Sequence, residues 1–293
     1  MNILYCGDGN IADGVIISVL SLCRTVKEPL NIYILTATVS HRSTHRNALP
    51  SDFAAFLEEK AKEYDKDNTV TLIDITDLFM SDKPLANMDT RFTPCCMLRL
   101  YADLVPELPD RVLYLDNDVI CRKDPFEFYY QDMENASVAG VLDYYGSWFF
   151  RKNIFIRDYL NSGVLLLNLK KIRESGLFRE CRSKCKNEEM FMPDQSAINK
   201  LCADKQICHR KYNEQRKLRK DTVFQHFTTS FRLFPWFHTV SVKPWNIKGM
   251  HKTLHISEYD SLLSEYEKVN EEYKRRAIKN EYTERNSRFL FNR

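Results

Sequence analysis

Asp116 and Asp118 are two aspartates separated by a single residue, directly after an apolar run at residues 112–115. The run is rich in strand-forming residues, and it therefore predicts a buried strand that ends in two carboxylates. Residues two apart in an extended chain point the same way, so both carboxylates can face one point beyond the strand. Hard oxygen ligands that leave room for water or phosphate suit Mg²⁺ or Mn²⁺. The pair thus predicts a divalent cation site, for which the alternative is a solvated turn with two surface aspartates.

Two further groups of polar residues stand beside predicted strands. An apolar run at residues 138–142 ends in Asp143, and another at 164–169 is preceded by Asn161 and Gly163. Open α/β sheets bind ligands in the crevice beyond the carboxyl ends of their strands. Asp143 is therefore a second acidic strand end of the kind that can reach a ligand.

Asp194 and Gln195 start a predicted helix, while His226 belongs to a predicted strand at residues 222–227. Asp194 can be a functional carboxylate or only the N-cap of the helix. A lone histidine is usually structural, but one at a strand end, in a chain with a two-carboxylate site, is a candidate third metal ligand. The local sequence leaves both alternatives open for each residue.

The order of the elements predicts the fold. A strand at residues 2–6 is followed by a turn with Asp8 and Asn10 and by a helix at 12–23, and strands continue to alternate with helices. Such alternation predicts an α/β fold with a mostly parallel, doubly wound central sheet flanked by helices. The glycine-containing turn suits close contact of the backbone with a nucleotide, although it also suits an ordinary tight turn.

Several helical segments bear on the fold or the site. Residues 92–104 have apolar residues at helical spacing around Arg99, which can either reach the acidic strand end or remain exposed. Ser51 is predicted to cap a helix, and residues 170–186 are predicted to form one continuous helix. An acidic and then basic helix is predicted at residues 259–277, either solvated or in peripheral contact with a membrane.

Composition excludes several classes of protein. Lys and Arg number 43 and Asp and Glu 40, so the formal net charge of +3 gives no global field typical of a nucleic-acid binder. No run approaches the ~20 apolar residues that a membrane span needs, and the N-terminus lacks a signal peptide. We therefore expect a cytoplasmic protein, with any membrane contact peripheral and at the inner face.

The nine cysteines are odd in number, and several lie in apolar runs. This distribution predicts reduced thiols rather than disulfides. Cys181, Cys185, Cys202 and Cys208 lack the C-x-x-C spacing of a zinc knuckle, so we expect them to be structural.

Residues 144–159 are unusually rich in aromatic side chains for a predicted loop. Such rings can belong to the core, or their flat apolar faces can stack on a sugar. Together with residues 230–242, this segment is expected to shape any acceptor pocket, and neither segment carries a readable code for the acceptor.

Several short motifs follow one another along residues 1–250. They are Asp8-Gly9-Asn10, Leu98-Arg99-Leu100, Tyr114-Leu115-Asp116-Asn117-Asp118-Val119, Asn161-Ser162-Gly163, Asp194-Gln195, His226-Phe227-Thr228 and Lys243-Pro244-Trp245. In this order they resemble the family 8 glycosyltransferases, the group that contains bacterial lipooligosaccharide galactosyltransferases and glycogenin. The resemblance implies a Rossmann-like nucleotide-diphospho-sugar transferase fold, a UDP-hexose donor, Mn²⁺ with Mg²⁺ as an alternative, and transfer with retention at the anomeric carbon.

The resemblance also implies roles for single residues. The metal ion would be held by Asp116, Asp118 and His226. Residues that bind the donor would be Cys6, Asp8, Asn10, Arg99, Asn117, Asn161, Gly163 and Lys243. Catalytic residues at the reacting centre would be Asp143, Asp194 and Gln195. The acceptor would be a saccharide or a glycolipid.

The chain departs from the family pattern near its metal site. The family has a compact His-x-x-Gly-x-x-Lys-Pro-Trp run, whereas here Thr229 replaces the glycine and residues 230–242 separate His226 from Lys243. This insertion contains His238, which competes for the role of third metal ligand. We favour His226 because it ends a predicted strand.

The predicted chemistry is a front-face attack of the acceptor hydroxyl, with its proton passing to the leaving phosphate. No strong protein nucleophile is evident, and the rival is a covalent intermediate on Asp194. Two other classes remain as alternatives: a haloacid-dehalogenase-type phosphohydrolase, in which the first aspartate of the pair is the nucleophile, and a non-catalytic sugar-binding domain. We expect a catalytic domain at residues 1–250 and a charged, helical C-terminal extension at 251–293.

Overall fold

A seven-stranded β-sheet forms the centre of the protein, in a computed structural model that describes residues 1–42, 44–90, 94–144, 158–232 and 238–291. Its strands are β1 (Asn2–Gly7), β2 (Asn31–Thr36), β5 (Thr69–Asp74), β6 (Arg111–Leu115), β8 (Val138–Leu142), β9 (Leu160–Asn168) and β10 (Gln206–Ile207). They lie in the order β10-β8-β9-β6-β1-β2-β5. Shorter strands form the pairs β3 (Val39–His41) with β4 (Thr44–Arg46), β7 (Val119–Cys121) with β11 (Phe224–His226), and β12 (Ser230–Arg232) with β13 (His238–Val240).

The direction of each strand decides which loops meet. β1 pairs in parallel with β2 and β6, β2 with β5, and β8 with β10, as the alternation of strands and helices predicts. β9 instead runs antiparallel to both β6 and β8. The amino end of β9 therefore lies beside the carboxyl ends of β6 and β8.

Helices cover both faces of the sheet. The helices are α1 (Ala12–Thr25), α2 (Ser51–Lys62), α3 (Thr76–Ser81), α4 (Phe126–Tyr129), α5 (Leu169–Ser175), α6 (Leu177–Asn187), α7 (Pro193–Leu201), α8 (Ile247–Gly249) and α9 (Asp260–Phe291). Turns of 3₁₀-helix occur at Gly9–Ile11, Leu85–Asn87, Pro94–Leu104 and Arg210–Tyr212, and a π-helical turn at Met250–Leu254.

The side chains of β1 show how the two cores are divided. Because successive side chains of a strand point to opposite faces, Ile3 and Tyr5 join one hydrophobic core and Leu4 joins the other. The first core is covered by α1, α2 and α9, and the second by the 3₁₀-helix Pro94–Leu104 with α5, α6 and α7. The predicted mostly parallel sheet flanked by helices is thus confirmed.

Local backbone geometry corrects the helix predictions in three places. The segment around Arg99 is a 3₁₀-helix from residue 94 rather than an α-helix. The helix predicted at residues 170–186 is broken between α5 and α6 at Gly176, whose φ of 71° lies in the left-handed region that glycine tolerates best. Ser51 does not cap α2, because the helix already begins at Ser51 and the preceding Pro50 provides no side-chain cap.

The first turns of the C-terminal helix α9, up to about Asn270, are solvated on one side only. Its first turns place Leu262, Leu263, Tyr266 and Val269 in the core that α1 and α2 cover. Within the described part of the chain, no helix combines the length and the apolar character required to cross a lipid bilayer.

Candidate active site and metal centre

Asp116, Asp118 and His226 come together where neighbouring strands end. Asp116 follows β6, and its backbone N–H donates to the carbonyl oxygen of Gly163 in β9 at 2.8 Å. β7 pairs antiparallel with β11 so that His226 lies opposite Val119, the residue after Asp118. The ligand atoms of the two aspartates and the histidine consequently lie within 4.8 Å of one another.

This donor set fits a divalent cation. His226 Nε2 lies 3.2 Å from Asp118 Oδ1 and 3.7 Å from Asp116 Oδ2. Asp118 and His226 are buried, with 6% and 5% of their surface exposed. Carboxylate oxygens and an imidazole nitrogen are ligands that Mn²⁺ accepts, and Mg²⁺ prefers the oxygens. Across the described ranges, no other group of histidine, cysteine and acidic residues brings three such atoms this close.

Gly163 makes room for the imidazole of His226. A Cβ atom on Gly163 would overlap Cε1 of the ring and would lie 2.6 Å from Nδ1. Atoms that are not bonded to each other do not approach so closely, and neither the strand backbone nor the ring can yield as a flexible side chain would. A glycine in β9 is therefore needed for His226 to pack against this strand.

We expect Gly163→Ala to displace His226 and to weaken Mn²⁺ binding at least tenfold, since changes that misplace a metal ligand typically cost about 10- to 100-fold in affinity. The measurement is a titration of Mn²⁺ in the presence of UDP, followed by electron paramagnetic resonance (EPR). Gly140→Ala is the control, because its Cβ would press on a side-chain methyl of Leu165 at 2.9 Å. Unchanged Mn²⁺ affinity in Gly163→Ala would contradict the placement of His226.

Lys243 lies beside the cluster of Asp116, Asp118 and His226. β12 and β13 belong to the insertion at residues 230–242 and pair antiparallel, so Ser230 and Val240 lie opposite each other. Lys243 Nζ donates to Asp118 Oδ2 and, at 2.9 Å, to the carbonyl oxygen of Phe227. The insertion therefore does not separate Lys243 from His226 in space.

Opposing effects act on the carboxyl group of Asp118. Burial by itself would raise the pKa of Asp118, but the positive charge of Lys243 and the contact with His226 outweigh burial and lower it. The carboxylate is thus held in the ionised form, which is the form that binds a cation.

The two histidines that compete for the third ligand position can be separated by mutation. His226 belongs to the cluster, whereas the side chain of His238 lies outside the described residues. We expect His226→Ala to weaken Mn²⁺-dependent binding of UDP and His238→Ala to leave it unchanged. Calorimetric titration of UDP with and without Mn²⁺ measures the difference, and the reverse ranking would assign the ligand to His238.

Arg99 is buried between two carboxylates. Its Nη2 lies 2.9 Å from Asp116 Oδ1, and its Nε lies 3.2 Å from Asp194 Oδ2. The guanidinium carbon lies 4.0 Å from the ring centroid of Tyr114, whose hydroxyl donates to Asp116 Oδ1 at 2.7 Å. Of the two positions that the sequence leaves open for Arg99, the structure thus places it at the acidic strand end.

At the start of α7, Asp194 forms an ion pair and Gln195 forms hydrogen bonds. Asp194 is the second residue of the helix, and its carboxylate faces Arg99 rather than capping the helix, which has no side-chain cap. Gln195 Oε1 accepts a hydrogen bond from the backbone N–H of Ser162 at 2.9 Å, and Gln195 Nε2 donates to Asp143 Oδ2 at 2.9 Å. The structure therefore brings Asp143, Asp194 and Gln195 together at the amino end of β9.

Asn213 lies at the site although its sequence gives no indication of it. The residue is 1% exposed, its Oδ1 lies 3.2 Å from His226 Nδ1, and its Nδ2 donates to Asn161 Oδ1 at 2.9 Å. It follows a 3₁₀ turn in a polar segment that resembles an ordinary surface loop. Only its buried partners distinguish it.

Other predicted donor-binding residues lie around the first turn of the chain. Asp8 Oδ1 accepts from the backbone N–H and from Nδ2 of Asn10, at 2.9 and 3.0 Å. Cys6 is the last residue but one of β1, and burial raises the pKa of its thiol. Asn117 packs against the start of α1, where its Nδ2 would lie 2.8 Å from a Cβ on Gly14. Cys6, Asp8 and Asn10 thus belong to β1 and the turn after it, whereas Asn161 belongs to β9 and Gln195 contacts β9 from α7.

All nine cysteines are free thiols. Cys181, Cys185 and Cys202 are buried in the second hydrophobic core, and burial raises the pKa of each thiol, to about 12 for Cys185 and Cys202. Neutral thiols in an apolar core agree with the structural role expected for them. Of the aromatic segment at 144–159, residues 145–157 lie outside the described ranges.

Comparison with known proteins gives the family. The model described as glycosyl transferase family 8 matches residues 2–249, which include every residue of the site. The lipopolysaccharide 1,2-glucosyltransferase of Escherichia coli (strain K12) is 26% identical over 266 residues, covering 84% of this chain and 73% of that protein.

Solved structures share the fold. The galactosyltransferase LgtC, in complex with donor and acceptor sugar analogues, superposes with a TM-score of 0.63 and 17% identity over 90% of this chain and 96% of LgtC. The glycosyltransferase GlyE of Streptococcus pneumoniae TIGR4 superposes with a TM-score of 0.56 and 20% identity over 90% of this chain, which spans 63% of GlyE. Since the family model extends over most of the chain, the protein belongs to glycosyl transferase family 8.

Proposed function

We propose that the protein transfers a hexose, glucose or galactose, from a UDP-hexose to a hydroxyl group of a saccharide or glycolipid, with Mn²⁺ or Mg²⁺ and with retention at the anomeric carbon. The observation that carries this proposal is the cluster of Asp116, Asp118 and His226, of which the last two are buried, with Lys243 hydrogen-bonded to the carboxylate of Asp118. A sugar-binding domain without catalysis needs neither the cation site nor the lysine beside it.

Each residue of the cluster has a role in binding the donor. Asp116, Asp118 and His226 would hold the cation and leave positions for phosphate oxygens. When bound, the cation neutralises charge on the donor diphosphate. Lys243 is within reach of a phosphate at this cluster, and its ammonium group would stabilise the charge that develops on the leaving phosphate. Arg99 would keep Asp116 oriented.

The ion pair of Asp194 and the hydrogen bonds of Asp143 support transfer with retention. Asp194 is paired with Arg99, and Asp143 accepts hydrogen bonds from Asn161 and Gln195. An inverting enzyme needs a base on the far side of the sugar, and neither carboxylate is available for it. The acceptor oxygen would bond to the anomeric carbon on the face from which the phosphate leaves, while the bond to that phosphate breaks. The acceptor proton would pass to the leaving phosphate oxygen.

We expect an α-linked UDP-hexose to give an α-linked product. Gln195→Ala should slow the transfer without changing this outcome, because the glutamine positions groups and does not form a bond to the sugar in this mechanism. The anomeric coupling constant of the product, measured by NMR, decides the stereochemistry. A β-linked product would refute the mechanism, and a glycosylated peptide trapped at Asp194 would favour the covalent route.

The relatives narrow the choice of donor and acceptor. The Escherichia coli relative is named for transfer of glucose to lipopolysaccharide, and LgtC is named as a galactosyltransferase. We therefore assign this protein to the assembly of a lipopolysaccharide-like saccharide. A screen of nucleotide sugars for Mn²⁺-dependent hydrolysis tests the proposal, and we expect a UDP-hexose to be cleaved fastest. Absence of hydrolysis and of transfer with every UDP-hexose would overturn it.

We assign catalysis to residues 1–250 and peripheral membrane contact to the C-terminal extension at 251–293. The extension carries exposed basic side chains such as Arg275, although acidic neighbours accompany them. Sedimentation with vesicles that contain anionic lipid tests the contact, since binding through basic residues should weaken as salt is raised. Equal sedimentation with neutral vesicles would contradict it.

A further inference from the structure

A series of hydrogen bonds between buried polar side chains connects His226 to Gln195. From His226 Nδ1 it runs 3.2 Å to Asn213 Oδ1, and from Asn213 Nδ2 2.9 Å to Asn161 Oδ1. From Asn161 Nδ2 it continues 3.0 Å to Asp143 Oδ2, which also accepts from Gln195 Nε2 at 2.9 Å. All five residues are buried, with 7% or less of their surface exposed.

A backbone group determines which atoms donate and which accept in this series of hydrogen bonds. The N–H of Gly163 can only donate, and it donates to Asn161 Oδ1 at 3.0 Å. If the Asn161 amide were flipped, its NH₂ group would face this N–H and two donors would meet. Asn161 therefore presents its oxygen to Gly163 and its Nδ2 to the carboxylate of Asp143.

The orientation of Asn161 in turn determines that of Asn213. Because Asn161 offers an oxygen, Asn213 must offer its Nδ2 in return, so the Asn213 oxygen faces His226 Nδ1. An oxygen acceptor at this distance requires a proton on Nδ1. Nε2, which faces Asp118 Oδ1 at 3.2 Å, is then the nitrogen whose lone pair is available to a metal ion.

We propose that Asn213 is a positioning residue that fixes the tautomer and the ring orientation of His226, with the Gly163 N–H and Asn161 as the groups that orient Asn213. The inference rests on the proposed metal-dependent function. It extends that function to a residue that binds neither the cation nor the donor. A partner on the second ring nitrogen is the usual means by which proteins orient a metal-binding histidine, and its loss costs about 10- to 100-fold in metal affinity.

The opposite end of this series of hydrogen bonds is anchored in the same manner. The backbone N–H of Ser162, the residue before Gly163, donates to Gln195 Oε1 at 2.9 Å, so Gln195 presents its Nε2 to Asp143. Adjacent N–H groups of β9 thus orient Asn161, in the middle of this series of hydrogen bonds, and Gln195, at its end. The tautomer of the metal ligand and the orientation of Gln195 are set by one strand.

Two variants of Asn213 separate positioning from packing. Asn213→Leu keeps the branched shape of the side chain, although its two methyl groups are larger, and it removes the acceptor for His226 Nδ1. The Gly163 N–H still donates to Asn161 Oδ1. Asn213→Asp keeps an oxygen for Nδ1 but places a second oxygen against Asn161 Oδ1. A positioning role predicts that the aspartate variant retains Mn²⁺ affinity better than the leucine variant. A purely structural role predicts no such advantage, because the aspartate introduces the oxygen-to-oxygen contact.

Asn87→Leu is the matched control. Asn87 is fully buried, donates to the carbonyl oxygens of Cys185 and Glu188, and accepts from the Met190 N–H. Its loss removes a buried amide without touching His226. We expect it to lower the thermal midpoint and to leave Mn²⁺ affinity unchanged.

The experiment measures Mn²⁺ binding by EPR in the presence of UDP, on the full chain, with the thermal midpoint recorded for each variant. ¹⁵N NMR of histidine-labelled protein with Mg²⁺ and UDP reports which nitrogen of His226 carries the proton. We expect Asn213→Leu to lose about 10- to 100-fold in Mn²⁺ affinity and its defined Nδ1–H signal, with Asn213→Asp closer to wild type in both. Wild-type Mn²⁺ affinity in Asn213→Leu, or an equal loss of affinity in both variants, would overturn this inference and leave the proposed function intact. Absence of Mn²⁺-dependent UDP binding in the wild type would overturn the proposed function and the inference with it.

Discussion

Asp118→Asn is expected to abolish hexose transfer and to lower the affinity for Mn²⁺ in the presence of UDP by more than about 100-fold. Replacement of a residue that only supports a metal ligand costs about 10- to 100-fold, and a direct ligand should cost more. The neutral amide also removes the charge that attracts the cation and leaves Lys243 without its carboxylate partner. Calorimetry of UDP binding with and without Mn²⁺ measures the effect.

Asp103→Asn supplies the control for loss of a buried acidic residue. The Asp103 side chain is 7% exposed, belongs to the same 3₁₀-helix as Arg99, and pairs with Arg182, whose side chain is 6% exposed. We expect this variant to be less stable and to bind Mn²⁺ and UDP as the wild type does. If Asp118→Asn and Asp103→Asn behaved alike, the effect of Asp118 would be one of stability and the metal assignment would fail.

The positions of Asp116 and Asp118 could be predicted from the sequence because the cause is local. An apolar run forces a buried strand, and two carboxylates follow it directly. The extended geometry predicted for them is wrong, because residues 116–118 form a turn in which the Val119 N–H donates to the carbonyl oxygen of Asp116 at 3.2 Å, and this turn brings the carboxylates together. The direction of β9 could not be predicted in the same way. Its side chains are apolar on both faces, and such a run looks the same whether its neighbours run parallel or antiparallel.

The antiparallel direction of β9 decides which of its residues lie at the site. It brings Asn161 and Gly163, at the beginning of that strand, to the carboxyl end of β6. A parallel strand would have placed them at the opposite edge of the sheet. The resemblance to the family predicts that these residues lie near the donor, and the direction of β9 explains why Gly163 lies beside Asp116.

Residues that depend on distant partners were the least predictable. The burial of Arg99 is stabilised by Asp116 and Asp194, which lie far from it in sequence, and an isolated arginine on a helical face gives no sign of them. Asn213 is a stronger example, because all its side-chain partners come from other elements. The position of Lys243 beside Asp118 follows an insertion that contains the pairing of β12 with β13, which a sequence without a clear turn motif did not indicate.

Lys243→Met is expected to have effects of opposite sign on two ligands. Lys243 Nζ is bonded to Asp118 Oδ2, so the lysine and a cation compete for the same carboxylate. Its removal should strengthen binding of Mn²⁺ alone. It should weaken binding of UDP with Mn²⁺ and lower kcat by about 100- to 1,000-fold, the usual cost of losing one group that stabilises charge in the transition state.

EPR titration of Mn²⁺ alone, calorimetry with UDP and steady-state kinetics measure the three effects. Lys205→Met is the matched control, because the Lys205 side chain is 7% exposed and pairs with Asp158 at 3.0 Å. This variant loses a buried lysine without changing the metal centre, so neither ligand should bind differently. If Lys243→Met weakened the binding of Mn²⁺ alone as much as the binding of UDP with Mn²⁺, the role of the lysine would be to maintain the structure of the site. Opposite signs would instead mean that its charge is directed at phosphate, because only a group that repels the cation and attracts the nucleotide can produce them.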